Sequence, residues 1–161
     1  MDKTVIARTP EEMEEIGVDL AATLDHGMIV SIIGPLGAGK TTLVKGIAKG
    51  LLITEAVVSP TYLLARDYDG TIPLHHLDAY RVDSLRELDE VGLVDLLPPE
   101  TGVSVIEWPE RIDGLVELSD LLVQIDHQLA DERVVTVRQT TPIARESRGR
   151  TPHSTPPEGR S

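Results

Sequence analysis

Residues 28–41 read MIVSIIGPLGAGKT, an apolar run that passes directly into a glycine-rich turn. Residues 34–41 match the pattern G-x-x-x-x-G-K-[ST] in full. Glycines let the backbone curl until successive N–H groups point at one anion, and a helix that starts at Lys40 adds its positive end. The stretch therefore predicts a phosphate-binding loop between a buried strand and a helix.

In such a loop Lys40 reaches the β- and γ-phosphates of a nucleotide, and the hydroxyl of Thr41 helps to coordinate Mg²⁺, which prefers oxygen ligands. An accidental match is expected in about one chain in 200 of this length. The strand before the loop and the helix after it favour the functional interpretation. The nucleotide-binding residues predicted here are Pro35, Leu36, Gly37, Ala38, Gly39, Lys40, Thr41 and Thr42.

Strands and helices alternate outward from the loop. Capping patterns at Thr9–Glu12 and Ser84–Glu87 predict helix starts, and Lys40–Leu51 shows a helical apolar period. Asp69-Gly70 predicts a hairpin turn. The pattern favours an α/β fold, a P-loop NTPase three-layer sandwich with a mixed, largely parallel central sheet. The predicted strands cover residues 3–8, 28–33, 63–68, 72–77, 103–106, 121–125 and 134–137.

Two predicted strands end abruptly in a carboxylate. Val103–Ile106 is followed by Glu107, and Ile72–Leu77 is followed by Asp78. Because ligands bind at the carboxyl ends of parallel strands, both acids should lie beside the phosphate loop. A P-loop enzyme needs such an acid to orient Mg²⁺ and the attacking water. Glu107 is the stronger candidate, since Pro73 and two histidines interrupt the strand before Asp78.

Several other residues have simpler interpretations. His75 and His76 lack a third ligand at suitable spacing and are predicted to be packing or surface residues rather than metal ligands. Trp108, the only tryptophan, is interpreted as a core or interface anchor. The D-x-x-G sequence of residues 67–70 falls in the hairpin turn and is not assigned to a GTPase switch.

Composition bounds the remaining possibilities. The chain has 161 residues, a formal net charge of −12 and no cysteine. Thiolate chemistry is excluded, and autonomous nucleic-acid binding is not expected because it depends on lysine and arginine. Residues 1–15 lack a secretory pattern, so a cytoplasmic location away from membranes is expected.

We predict a folded domain at 1–139 and a disordered, proline-rich tail at 140–161.

In order along the chain, the P-loop, S-P-T-Y at 59–62, H-L-D-A-Y-R at 76–81 and I-E-W-P at 106–109 resemble the TsaE (YjeE) family. The resemblance runs from about residue 3 to residue 138. It implies a P-loop ATPase, binding ATP or ADP with Mg²⁺, that serves a TsaB–TsaD catalytic pair. That pair forms threonylcarbamoyladenosine next to the anticodon of tRNA, which this chain would meet only through the complex.

The resemblance also implies roles for individual positions. Lys40, Asp78 and Glu107 are the expected catalytic residues, with Thr41 and Glu107 at the metal. Adenine contacts are expected near Pro10 and from Asp131 to Arg133. A nucleotide-sensing switch is expected at Ser59, Pro60, Thr61 and Tyr62, because a proline-stiffened loop with hydroxyls can order on a γ-phosphate. An ordinary proline turn is the alternative there. Partner or structural roles are expected for Tyr80, Arg81 and Trp108.

Three other function classes are compatible with parts of the sequence. A GTPase normally needs N-K-x-D, and this sequence contains no asparagine. A small-molecule P-loop kinase is the more serious alternative, although the arginines are scattered and no lid-length insertion is present. A nucleotide-gated interaction module overlaps with the role that the family implies. No arginine finger is evident, so slow turnover in isolation is expected.

Overall fold

A computed structural model describes residues 2–142 of the chain. Within that range seven strands form one sheet, and helices cover both of its faces. The helices are α1 (Pro10–Ala21), α2 (Lys40–Gly50) and α3 (Leu85–Glu90). The strands are β1 (Lys3–Ala7), β2 (Ile29–Ile33), β3 (Ala65–Tyr68), β4 (Leu74–Asp78), β5 (Val103–Glu107), β6 (Leu121–His127) and β7 (Arg133–Gln139).

The strand order is β1-β7-β6-β2-β5-β4-β3. The central strands β6, β2, β5 and β4 are parallel, while β1, β7 and β3 pair antiparallel with their neighbours. The predicted α/β class and the mixed, largely parallel sheet are confirmed. Because β2 lies in the middle of the sheet, the loop that follows it is placed between the ends of β6 and β5.

Alternation along each strand separates two cores. On one face α1 and α2 cover residues such as Val30, Ile32 and Val105. On the other face α3 and short 3₁₀ turns cover Ile29 and Ile106. Both faces of the central strands are therefore buried, which explains why β2 and β5 read as continuous apolar runs.

The N-termini of α1 and α3 are capped as their sequences predict. The hydroxyl of Thr9 accepts a hydrogen bond from the Glu12 N–H at 3.1 Å, and Pro10 occupies the first helical position. The Ser84 hydroxyl caps α3 through the Glu87 N–H at 3.3 Å. Helix α2 is different, because Gly39 precedes it in a left-handed conformation and no side chain within residues 2–142 caps it.

Two predicted strands start later than expected. Strand β3 begins at Ala65 rather than Leu63, since the N–H groups of Leu63 and Leu64 turn back to the carbonyl of Pro60. Strand β4 begins at Leu74 rather than Ile72, because Pro73 has no N–H to donate to a neighbouring strand. Strand β4 also extends through Asp78, and β5 through Glu107, so both acids are the last residues of their strands.

Strand β7 ends at Gln139, and the domain boundary at residue 139 stays a prediction. Most of the predicted tail, residues 143–161, lies outside the described residues. Within residues 2–142, no helix is long and apolar enough to cross a bilayer.

Candidate functional site

The glycine-rich loop is held by close packing against the end of β6. A Cβ atom at Gly34 would lie 2.9 Å from the backbone oxygen of Ile125, so only glycine fits there. Gly39 has a φ of 100°, which favours glycine over residues with a side chain. The loop therefore delivers the uncapped, positive end of α2 to the carboxyl edge of the sheet.

Lys40 is buried at the centre of the loop. Its Nζ donates to the carbonyl oxygens of Gly34 at 2.7 Å and Pro35 at 2.9 Å. The same Nζ lies 3.9 Å from the centroid of the Trp108 ring. Desolvation by burial lowers the pKa of Lys40, and the carboxylates of Glu107 and Asp78 are among the groups that oppose this shift.

Glu107 and Asp78 are adjacent across the sheet, because β4 and β5 pair with these two residues in register. Both side chains are buried. The hydroxyl of Thr41 donates to Oε1 of Glu107 at 2.9 Å, which joins the first turn of α2 to the end of β5. The structure thus places both predicted acids beside the phosphate loop.

The segment of residues 59–62 is tied to Asp78. The Thr61 hydroxyl donates to Oδ2 of Asp78 at 2.9 Å and lies 2.8 Å from the Ser59 hydroxyl. Tyr62 projects outward, with 82% of its surface exposed, and the guanidinium of Arg81 lies 4.5 Å from its ring centroid. Pro60 is buried. The hydroxyls of Ser59 and Thr61 face the site, whereas the exposed Tyr62 does not line it.

Two cavities meet at the loop. A cavity of about 330 Å³ has walls from the loop, the 59–62 segment and the two strand-end acids. Its lining residues are Leu36, Gly37, Ala38, Gly39, Lys40, Thr41, Thr42, Ser59, Thr61, Asp78, Glu107 and Trp108. We call this the phosphate cavity.

A second cavity of about 430 Å³ lies on the other side of the loop and shares Gly37, Ala38, Gly39 and Thr42 with the phosphate cavity. It is also lined by Pro10, Asp131 and Arg133, the three positions where adenine contacts are expected. These residues meet because β1 pairs with β7, with Ala7 opposite Arg133. We call this the base cavity.

The donor set of the phosphate cavity fits a magnesium ion. Thr41 supplies a hydroxyl oxygen and Glu107 a carboxylate oxygen, the hard ligands that Mg²⁺ prefers. Among residues 2–142, no group of three or more histidine, cysteine, aspartate and glutamate side chains could form a complete metal cage. This sparse set matches an ion that takes its other ligands from water and nucleotide phosphates.

Trp108, interpreted from the sequence as a core or interface anchor, lies at the edge of the site. Trp108 follows β5 in a left-handed conformation with a φ of 59°, and it is half-buried in the wall of the phosphate cavity. The ring of Tyr80 lies 4.9 Å from it, centroid to centroid, and Arg111 lies 5.0 Å from the Tyr80 ring. Trp108 thus forms part of the site wall because its backbone turns sharply where the strand ends.

The burial of His76 agrees with the predicted packing role, but sequence reasoning did not predict its contact with an acid of the site. His76 is fully buried, and its Nε2 lies 3.0 Å from Oε2 of Glu107. The neighbouring His75 instead contacts Asp67 and the carbonyl of Thr101 at 2.8 Å each. Alternation along a strand predicts that one of two adjacent histidines faces inward, but the acid it meets depends on the register with the next strand.

Comparison with known proteins gives a consistent result. The family model described as "Threonylcarbamoyl adenosine biosynthesis protein TsaE" matches residues 7–135. A Nostoc sp. protein named tRNA threonylcarbamoyladenosine biosynthesis protein TsaE is 43% identical over 63% of this chain. The match spans 65% of that relative's length, just under two thirds. A protein of the same name from Treponema pallidum is 39% identical over 82% of this chain and 97% of its own length.

The solved structure of Bacillus subtilis YdiB is also similar. It is 33% identical to this chain, with a TM-score of 0.67. The alignment covers 85% of this chain and 84% of that one. The likeness therefore extends over most of the described sheet and helices rather than the phosphate loop alone.

Proposed function

Since the chain belongs to the TsaE family of threonylcarbamoyl adenosine biosynthesis proteins, we propose that it is the Mg²⁺-dependent ATPase of that pathway. In this proposal it binds ATP, docks on a TsaB–TsaD-type complex and hydrolyses the nucleotide to reset the complex. The observation that carries the ATPase assignment is the Thr41–Glu107 hydrogen bond of 2.9 Å beside Lys40. It joins the phosphate loop directly to a strand-end acid.

The residues of the phosphate cavity have different proposed roles. Backbone N–H groups at the start of α2 and the Lys40 ammonium bind the β- and γ-phosphates. Thr41 and Glu107 would hold Mg²⁺, and a bound ion would supply positive charge beside the phosphate oxygens. Glu107 also accepts a hydrogen bond from the attacking water and so orients it. Asp78 holds the hydroxyl of Thr61 near the γ-phosphate.

The base cavity takes the adenine and ribose. Pro10, Asp131 and Arg133 line this cavity, and the loop residues that it shares with the phosphate cavity leave a continuous path for one nucleotide. Adenine rather than guanine is proposed because the sequence lacks any asparagine for an N-K-x-D motif.

We place the nucleotide-sensing switch at residues 59–62. The proposed docking surface combines this segment with Leu36, the exposed residue of the phosphate loop. Ser59 and Thr61 line the phosphate cavity, whereas Tyr62 and Leu36 are 82% and 79% exposed. A segment tied to the γ-phosphate on one side and exposed on the other can present a different surface before and after hydrolysis.

Of the described residues lining the phosphate cavity, Lys40 is the one cation. A partner that supplies an arginine could therefore raise turnover by roughly 10³-fold or more.

The test is ATP turnover by the isolated chain and by the chain with a TsaB–TsaD pair and tRNA. We expect slow release of free phosphate alone and a large stimulation by the complex. Lys40→Ala should weaken nucleotide binding, whereas Glu107→Ala should bind nucleotide and lose Mg²⁺-dependent turnover. Equal rates with and without the complex would contradict the gating proposal, and equal loss of binding in both variants would contradict the division of roles.

A small-molecule kinase is the second candidate, because a P-loop and a strand-end acid also suit phosphoryl transfer to an acceptor. The two proposals differ in product. A phosphorylated small molecule in place of free phosphate would favour the kinase, and phosphate release that is independent of added metabolites would exclude it.

A further inference from the structure

His76 is fully buried, and its side chain forms a hydrogen bond with the carboxylate of Glu107. We propose that His76 is a positioning residue that fixes the rotamer of Glu107 and thereby supports the chemical step. The inference rests on the proposed ATPase function, because it assigns His76 a task in that reaction. His76 itself does not line the phosphate cavity.

The sheet register explains how the two side chains meet. Asp78 pairs with Glu107 across β4 and β5, and His76 pairs with Val105. His76, Asp78 and Glu107 therefore share one face, and the imidazole reaches Glu107 diagonally from two residues further back along β4. Leu74 and Val105 on the same face belong to the apolar core under α2. An imidazole in such surroundings is costly unless a hydrogen bond compensates its burial.

The two ring nitrogens of His76 have different surroundings. Nε2 lies 3.0 Å from Oε2 of Glu107, while Nδ1 is buried without a hydrogen-bond partner among residues 2–142. A carboxylate only accepts hydrogen bonds, so the proton belongs on Nε2. A proton on Nδ1 would be a buried donor without an acceptor, which costs more free energy than an unused lone pair. The structure thus assigns the Nε2–H tautomer.

This contact makes the two oxygens of Glu107 unequal. Oε2 accepts the hydrogen bond from Nε2 of His76, and Oε1 accepts the hydrogen bond from Thr41 at 2.9 Å. With both ends held, the carboxylate is fixed in one plane before any nucleotide arrives. Without the imidazole donor, Glu107 would keep its place in the chain but could rotate away from Thr41. Phosphate binding by the loop does not depend on that rotation.

Kinetics of three variants test the assignment. His76→Leu removes the donor at similar volume, and we expect kcat to fall roughly 10- to 100-fold, the range seen when a group that orients a ligand is lost. The KM for ATP should stay within about twofold of the wild-type value. His76→Gln retains an N–H donor near the position of Nε2 and should recover most of the rate.

The matched control is His75→Leu, the same substitution one residue away on the opposite face, which should leave kcat unchanged. Equal kcat losses in His75→Leu and His76→Leu would indicate damage to β4 and overturn the inference. So would a His76→Leu protein with wild-type kcat, or a loss that appears in KM and not in kcat.

A second measurement does not depend on turnover or on a stable variant. The ¹H–¹⁵N correlations of the imidazole in the nucleotide-free wild-type chain should show the Nε2–H tautomer at His76. Finding the proton on Nδ1 would overturn the assignment. A wild-type chain that does not hydrolyse ATP under any condition would refute the proposed function instead, and the tautomer would still decide whether His76 donates to Glu107.

Discussion

The ammonium of Lys40 lies 3.9 Å from the ring centroid of Trp108 while it also donates to the carbonyls of Gly34 and Pro35. The side chain of Lys40 therefore points toward the carbonyls of its own loop and the face of the Trp108 ring. A cation held over a partly desolvated indole is stabilised by about 1–2 kcal/mol. A triphosphate must compete with these contacts for the ammonium, so nucleotide binding should alter the surroundings of the indole.

Trp108 should consequently report nucleotide binding by its fluorescence. Trp108 is the only tryptophan in the chain, so its emission can be followed without ambiguity. Adding ADP should change the emission in a saturable way, because the ammonium moves from the ring toward the phosphates. Lys40→Met serves as the control, since its emission should differ from that of the wild type before ADP is added. Unchanged emission at ADP concentrations that calorimetry shows to be saturating would contradict this prediction.

The affinity for ADP should also fall at alkaline pH. The decline should begin at a lower pH than it would if Lys40 had the pKa of an ordinary lysine. Burial lowers the pKa of Lys40 from its ordinary value of 10.5, and the carboxylates of Glu107, Glu110 and Asp78 oppose the shift. A bound phosphate favours the charged ammonium and raises that pKa again. Affinity is therefore fully present below the pKa of the free protein and is lost as the pH rises from that pKa to the higher pKa of the complex.

Calorimetry of ADP binding without Mg²⁺, from neutral to alkaline pH, measures this decline together with proton uptake. Lys40→Arg is the control, because arginine keeps its charge over the whole range. If the affinities of the wild type and of Lys40→Arg declined in parallel, the loss would have to come from another group.

The phosphate loop was predictable from sequence because its chemistry is local. The spacing of glycines, the lysine and the hydroxyl is contained in residues 34–41, and the preceding apolar run marks a buried strand. The strand-end acids were also predictable in position, because a buried run that stops at a carboxylate shows where a strand reaches the sheet edge. Glu107 and Asp78 both lie at that edge.

The rest of the site depends on pairings between distant segments. Pro10 and Arg133 line one cavity because β1 pairs with β7, a register that no local pattern specifies. His76 meets Glu107 only through the register of β4 with β5. Trp108 enters the cavity wall because it adopts a left-handed backbone conformation, which is uncommon for tryptophan. These features follow from tertiary packing, so residue types alone could not predict them.

The packing of α1 on α2 should not tolerate a larger residue at Gly46. A Cβ atom there would lie 2.1 Å from the backbone oxygen of Glu14 in α1, which cannot rotate away. Overpacking of this kind costs about 1–3 kcal/mol or more, against a gain of up to about 1 kcal/mol in helix propensity for alanine. Gly46→Ala should therefore lower Tm by roughly 2–8 °C, as measured by calorimetry.

The control for Gly46 is Lys45→Ala, which changes an exposed side chain on the same helix. A surface substitution of this kind should alter stability by no more than about 0.5 kcal/mol. A Gly46→Ala protein as stable as the wild type would show that the two helices can separate without cost.

The base cavity should contribute to affinity for ATP but not to affinity for its phosphates alone. Arg133 lies in the wall of this cavity at the start of β7, where its guanidinium can stack on or donate to an adenine. Arg133→Ala should weaken binding of ATP by about tenfold, the loss expected when one charged hydrogen bond or stacking contact is removed. Binding of inorganic tripolyphosphate, which lacks a base, should change by less than about twofold.

A matched variant lies on the same strand. Arg138 is near the far end of β7, where it pairs with Asp2 at 3.1 Å and does not line the base cavity. Arg138→Ala removes the same side chain and the same charge, so it controls for the long-range effect of a lost cation on an anionic ligand. ATP binding that weakens equally in the two variants would reveal a loss of general electrostatic attraction. A tenfold loss for Arg133→Ala alone, seen with ATP and not with tripolyphosphate, would locate the adenine between α1 and the β6–β7 turn.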